Sequence, residues 1–122
     1  MKNYNLTIIE GNLVKDPVVS KSQKGNTVLK FAVASNGYGT PTGKKWQGHE
    51  EVVSYFDIIA WAELAEKNIE KLKKGIKVKI VGHLSQWRWK DESGKHHSKI
   101  HISAEYIDIP LNKSDNKKKH FF

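Results

Sequence analysis

The chain contains no cysteine, which excludes a disulfide framework, a thiol nucleophile and any cysteine-based metal site. It has a single arginine, too few for the acid-and-arginine cluster that a small-barrel nuclease builds around its metal. No apolar run approaches the roughly 20 residues of a transmembrane helix. Met1–Glu10 also lacks the long apolar core of a secretory signal. Together these absences predict a cytoplasmic protein with no membrane partner. There is no Gly-x-x-x-x-Gly-Lys phosphate loop, no Ser/His/Asp grouping and no carboxylate pair, so an enzyme is not expected. His83, His96, His97 and His101 have no carboxylate or thiol at ligand spacing. Neither a metal nor a cofactor is therefore expected.

Positive charge is what the chain has in excess. A net charge of +8 on 122 residues favours an anionic partner, nucleic acid ahead of a membrane surface. The hydrophobic fraction of 38% and charged fraction of 28% are those of a soluble globular protein of single-domain length.

Hydrophobic patterning divides the chain into strands and one helix. Leu6 to Val14 reads as a strand with a bulge or bend at Gly11, closed by the Asp16-Pro17 turn. After a second turn at Gly25-Asn26, Val28 to Ser35 is rich in β-type residues. Residues 36–51 hold four of the nine glycines and read as a long loop or an extended hairpin. Val52 to Trp61 is a third strand. Ala62 to Lys74 has the apolar stripe Leu64, Ile69 and Leu72, acids early, lysines late and Gly75 as cap, which predicts a helix. Ile76 to Lys90 and Ser98 to Ile109 complete the set, joined by the turn Asp91–Gly94. Three strands, a helix and two strands predict an all-β OB-fold, a five-stranded Greek-key barrel with the helix between strands 3 and 4.

The strand after the helix is the most telling. Period-two alternation sends Trp87 and Trp89 to the face of Lys77 and Lys79, opposite Ile76, Val78, Ile80 and Leu84. Aromatics beside cations, on the face away from the apolar one, suit a platform on which unpaired bases stack. In the third strand, Tyr55 and Trp61 share a face with Asp57, while Phe56, Ile58 and Ala60 form the apolar face. Arg88 and Lys90 alternate with the tryptophans and reach phosphate only around a strand edge. Lys44 and Lys45 lie in the long loop, as a flexible basic arm would.

Gly11-Asn12-Leu13 followed by Asp16-Pro17, then Leu64-Ala65-Glu66, Leu72-Lys73-Lys74-Gly75, and Val78, Ile80, Gly82, Leu84, Trp89, Asp91 and Gly94 occur in order. In this the chain resembles the bacterial-type single-stranded DNA-binding proteins from about Leu6 to Ile109. The resemblance implies an OB-fold domain over residues 1–110. It further implies sequence-tolerant binding and protection of single-stranded DNA during replication, recombination and repair, in a nucleoid-associated homo-oligomer, usually a tetramer. The family's stacking positions fall on Tyr55, Trp61 and Trp89. Its loop aromatic has no aligned counterpart, although Tyr38 is adjacent and Trp46 lies in the same loop. Lys74 matches a basic position of the binding path, and Phe56 a position used in subunit contacts.

Two departures stand out. Asp57 and Glu63 occupy places where the family often has basic residues. Residues 111–122 form a short tail with four lysines, read as disordered; it ends in Phe121-Phe122 but lacks the acidic tip through which the family recruits replication and repair proteins.

Overall fold

A computed structural model of the chain describes residues 3–38 and 51–110. Within them, chain order runs β1 (Thr7–Leu13), β2 (Val18–Lys21), β3 (Thr27–Tyr38), β4 (Glu51–Trp61), α1 (Ala62–Asn68), β5 (Lys77–Lys90) and β6 (His96–Asp108). The strands form one sheet in the order β1-β5-β6-β4-β3-β2, and β1 also meets β3 at Asn12↔Ala34 and Leu13↔Val33. All pairings are antiparallel except β4 with β6, which run parallel at Ile58↔Ile102 and Ile59↔Ser103. The architecture is an OB-fold-like mixed sheet with one helix.

Alternation builds the core. Leu29, Phe31 and Val33 of β3, Ile58 and Ala60 of β4, Val78 and Ile80 of β5, and Ile102 and Ala104 of β6 turn to one side and are buried. Each fully buried Leu, Ile or Val of this set stabilises the fold by about 1.5–3 kcal/mol. From the segment that follows β4, Ala65 and Leu72 join the same cluster, with Leu64 and Ile69 packed on it.

The expected five-stranded Greek-key barrel with a helix between strands 3 and 4 does not hold. The sheet has six strands, β1 and β2 stand at the two ends of its order, and α1 lies between β4 and β5. The additional strand, β2, follows the Asp16-Pro17 break and pairs with β3 from Val18↔Lys30 to Lys21↔Thr27. All its residues are exposed, so no in-out alternation announces it; pairing with β3 is what makes it a strand.

The helix also stops short of Lys74, at Asn68. The buried Asn68 side-chain amide donates to the Leu64 carbonyl at 2.9 Å, and the Asn68 backbone carbonyl accepts the N–H groups of Lys71 and Leu72. Gly75 is left-handed (φ 88°), but it serves a later turn, where its N–H donates to the Leu13 carbonyl.

Gly11 is no bulge: it pairs in register with Val78. It is there because β3 passes close by, a Cβ being placed 2.2 Å from the Ala34 carbonyl oxygen. The register shift falls at Val81/Gly82, where β6 carries an extra residue and β5 presses on Ser103.

Candidate nucleic-acid interface

Cross-strand register assembles the outer face of the sheet. Along β4, Tyr55, Asp57, Ile59 and Trp61 lie opposite Ala34, Ala32, Lys30 and Val28 of β3, and Lys30 in turn lies opposite Val18 of β2. On the far side of β4, the outward residues of β6 are opposite those of β5: Ser103 with His83, His101 with Ser85, Lys99 with Trp87 and His97 with Trp89. Four aromatic side chains therefore belong to one surface. Tyr55 is 69% exposed, and Trp61, Trp87 and Trp89 are close to half exposed, as a core residue would not be.

Three contacts fix the centre of this surface. The Lys30 ammonium sits 4.3 Å from the centroid of the Trp87 ring, and His101 meets the same indole edge-on with centroids 5.9 Å apart. Lys99 Nζ pairs with Asp57 Oδ2 at 2.9 Å. Asp57 thus neutralises a cation that would otherwise face the solvent beside the aromatics. His101 Nδ1 is buried without a hydrogen-bond partner among the described residues. Desolvation pushes the His101 pKa down and the Lys30 and His83 charges push the same way, whereas the Asp57 carboxylate opposes them.

At the hairpin, His97 stacks on Trp89 with centroids 5.4 Å apart. His97 Nε2 donates to Asp91 Oδ2 at 2.8 Å, while Asp91 Oδ1 accepts the Ser93 hydroxyl and the N–H groups of Ser93 and Lys95. The His97 bond first, and then those to Ser93 and Lys95, bring the Asp91 carboxyl down from 3.8 to about 2.

The remaining expected residues divide. Arg88 lies on the other face, its guanidinium donating twice to Gln86 Oε1 at 2.9 and 3.1 Å. Lys90 is exposed at the end of β5. Lys74 is exposed, and its backbone N–H is held by Asp16 Oδ1 at 2.8 Å. Phe56 is half-buried against the core, beside the exposed Leu84 and Ile100. Lys44, Lys45 and Trp46 lie outside the described residues, as does the side chain of Tyr38.

Lys77 and Lys79 share the parity of the tryptophans but not their neighbourhood. Lys77 pairs with Glu10 at 3.3 Å. Ten residues of strand, about 33 Å if straight, separate it from Trp87. Leu84, expected among the apolar set, is 48% exposed because β5 continues past the core. Lys30 and Lys99 lie on this face without having been expected there. The signal was available: each neighbours an apolar residue, Phe31 or Ile100, and alternation alone sends it to the opposite face.

Known proteins resemble this chain over most of its length. The model of the single-strand binding protein family matches residues 4–110. The chain is similar to single-stranded DNA-binding protein 2 of Chlorobaculum tepidum, 36% identical over 93% of this chain and 74% of that protein. It is 35% identical to the single-stranded DNA-binding protein of Aquifex aeolicus, covering 86% of this chain and 69% of the relative. With that of Treponema pallidum it shares 32% identity over 89% of this chain and 59% of the relative. Spanning nearly the whole described fold, from the first strand to the end of β6, the match shows that the chain belongs to the single-strand binding protein family.

Proposed function

We infer that the chain binds single-stranded DNA without sequence preference and protects it during replication, recombination and repair, as a binding protein and not an enzyme. Family membership over residues 4–110 supports the general activity. The observation that carries the mechanism is the single wet face holding Tyr55, Trp61, Trp87 and Trp89 beside Lys30 and Lys99. Bases stack on the rings because every base has a π-face, and lysines hold the phosphates. Each stack contributes about 1–3 kcal/mol, so a few of them give useful affinity with no hydrogen-bond readout of sequence. Lys74 and Lys90 extend the phosphate track, with Tyr38 at the end of β3 and Lys44, Lys45 and Trp46 of the segment between β3 and β4 also contributing. Arg88, turned to the other face, reaches phosphate only around the strand edge.

The protein works in the cytoplasm, on the nucleoid, as a homo-oligomer, most simply a tetramer. Support comes from a row across three strands, Ile8, Val81 and Tyr106, whose outer members are 57% and 55% exposed. Phe56 lies beside a second apolar area at Leu84 and Ile100. Residues 111–122, with four lysines against one aspartate, suit DNA as a partner.

Titration with oligo-dT tests the central reading: tryptophan emission should fall strongly on binding. Equal affinity for duplex DNA of the same length would refute it. Light scattering tests the assembly, and a monomer at micromolar concentration would reject it.

A further inference from the structure

Between the Trp87 indole and the β1–β2 segment lies a cleft of about 260 Å³. Val18, Lys30, Asp57, Ile59, Trp87 and His101 line it. Its floor is unusual for an outer face. Ile59 points the same way as Tyr55 and Trp61, yet it is only 3% exposed. The register puts Val18, Lys30 and Ile59 in one row across β2, β3 and β4, so the cleft crosses the sheet between the two exposed rings of β4. Tyr55 and Trp61 are six residues apart on that strand, about 20 Å, too far for neighbouring bases to bridge.

The cleft lies below the roughly 300–1,000 Å³ of drug-sized pockets, which suits one planar ring system better than a whole nucleotide. Its walls are mainly apolar, and both acids at its rim are already engaged: Asp57 by Lys99 and Asp16 by the Lys74 N–H. The cation on the indole face is held there by the ring alone among the described contacts.

We propose that this cleft is a base-insertion subsite. One nucleobase of the bound strand enters between the Trp87 indole and Val18, displacing the Lys30 ammonium from the ring onto the adjacent phosphate. The exchange is favourable because base stacking on an indole is stronger than an exposed cation–π contact, and the released ammonium gains an anion. The inserted base also fills the gap between the Tyr55 and Trp61 stacks. This proposal rests on reading the face as the single-strand interface.

Filling the cleft tests it. Val18 is 63% exposed on an end strand, so Val18→Trp occupies the space without touching the core. The full chain and this variant are titrated with oligo-dT and with an abasic oligonucleotide of equal length, which has phosphates but no bases. Val18→Trp should bind oligo-dT about tenfold more weakly and the abasic strand unchanged. Trp87→Leu, which removes the stacking wall instead, should show the same selective loss. Wild-type affinity of Val18→Trp for oligo-dT would overturn the proposal. So would equal losses on both strands, since the cleft would then hold backbone. Failure of the unaltered protein to prefer oligo-dT over duplex would refute the interface reading itself, a result separate from either.

Discussion

The imidazole of His97 lies flat against the indole of Trp89, with ring centroids 5.4 Å and planes 17° apart. One face of the proposed base platform is therefore already covered, and Trp89 offers a base only the other. The hydrogen bond to Asp91 holds the imidazole in place, and the Asp91–Gly94 turn holds Asp91. With its pKa lowered from 3.8 to about 2, Asp91 is an ionised anchor at neutral pH. Its contribution is present above the unfolded value and is lost as pH falls through about 2.

Replacing His97 should loosen Trp89. An aromatic pair contributes about 0.5–1.5 kcal/mol beyond its buried area. His97→Ala should weaken oligo-dT binding by a few-fold, whereas His97→Phe, which keeps a ring opposite Trp89, should remain near wild type. Fluorescence titration decides this: equal affinities of the Ala and Phe variants would mean that the stack does not position the indole.

Truncating the platform residues should separate affinity from stability. Trp61→Ala and Trp89→Ala should each cost about 1–3 kcal/mol of binding, and Tyr55→Ala no more than either. Because these rings are exposed by 46%, 47% and 69%, thermal unfolding should shift by only a few degrees. Unfolding before any binding loss would mark them as structural.

Asp57 offers the opposite sign. Its carboxylate ties Lys99 at 2.9 Å within the proposed phosphate path. An exposed ion pair contributes only ~0–1 kcal/mol to stability. Asp57→Asn should therefore leave the fold intact, release Lys99 and tighten oligo-dT binding. If Lys99 then engages one more phosphate, the slope of log K against log salt steepens by about 0.7. An unchanged slope would place Lys99 outside the path.

Strict alternation made part of this surface legible. Tyr55 and Trp61 are exposed while Ile58 and Ala60 are buried and Phe56 is half-buried, as two-residue periodicity requires; Ile59, at the floor of the cleft, departs from it. What alternation could not supply was anything decided between strands. The exposed β2 exists through its pairing with β3, and the helix end depends on the buried Asn68 amide. Parity likewise grouped Lys77 and Lys79 with Trp87, because it records a side and carries no information on distance. The His97–Trp89 pair needed the hairpin register, which the turn at Asp91–Gly94 sets.

Gly82 should resist substitution for a reason visible only in three dimensions. A Cβ there would stand 2.2 Å from the Ser103 carbonyl oxygen, and backbone cannot move aside as a side-chain tip can. Overpacking of this kind costs typically about 1–3 kcal/mol, and a clash with backbone belongs at the upper end. Gly82→Ala should lower the denaturant midpoint accordingly; an unshifted midpoint would show that β5 and β6 can separate locally at little cost.

The pH response should identify His101. Its pKa lies below the ordinary 6.5, chiefly through desolvation, with Lys30 and His83 adding to the effect and Asp57 opposing it. Below 6.5 the unfolded chain therefore binds a proton that the folded chain resists. Stability from this group is complete above 6.5 and declines as pH falls from there toward the folded value. Thermal midpoints of the unaltered chain and of His101→Gln, measured from pH 8 to pH 5, separate the effect of His101 from that of the other titrating groups. The difference between the two should be constant above neutrality and should shift in favour of the variant at the acid end. A difference independent of pH would mean that His101 protonates as readily in the fold as in the open chain, and that its buried Nδ1 is hydrated.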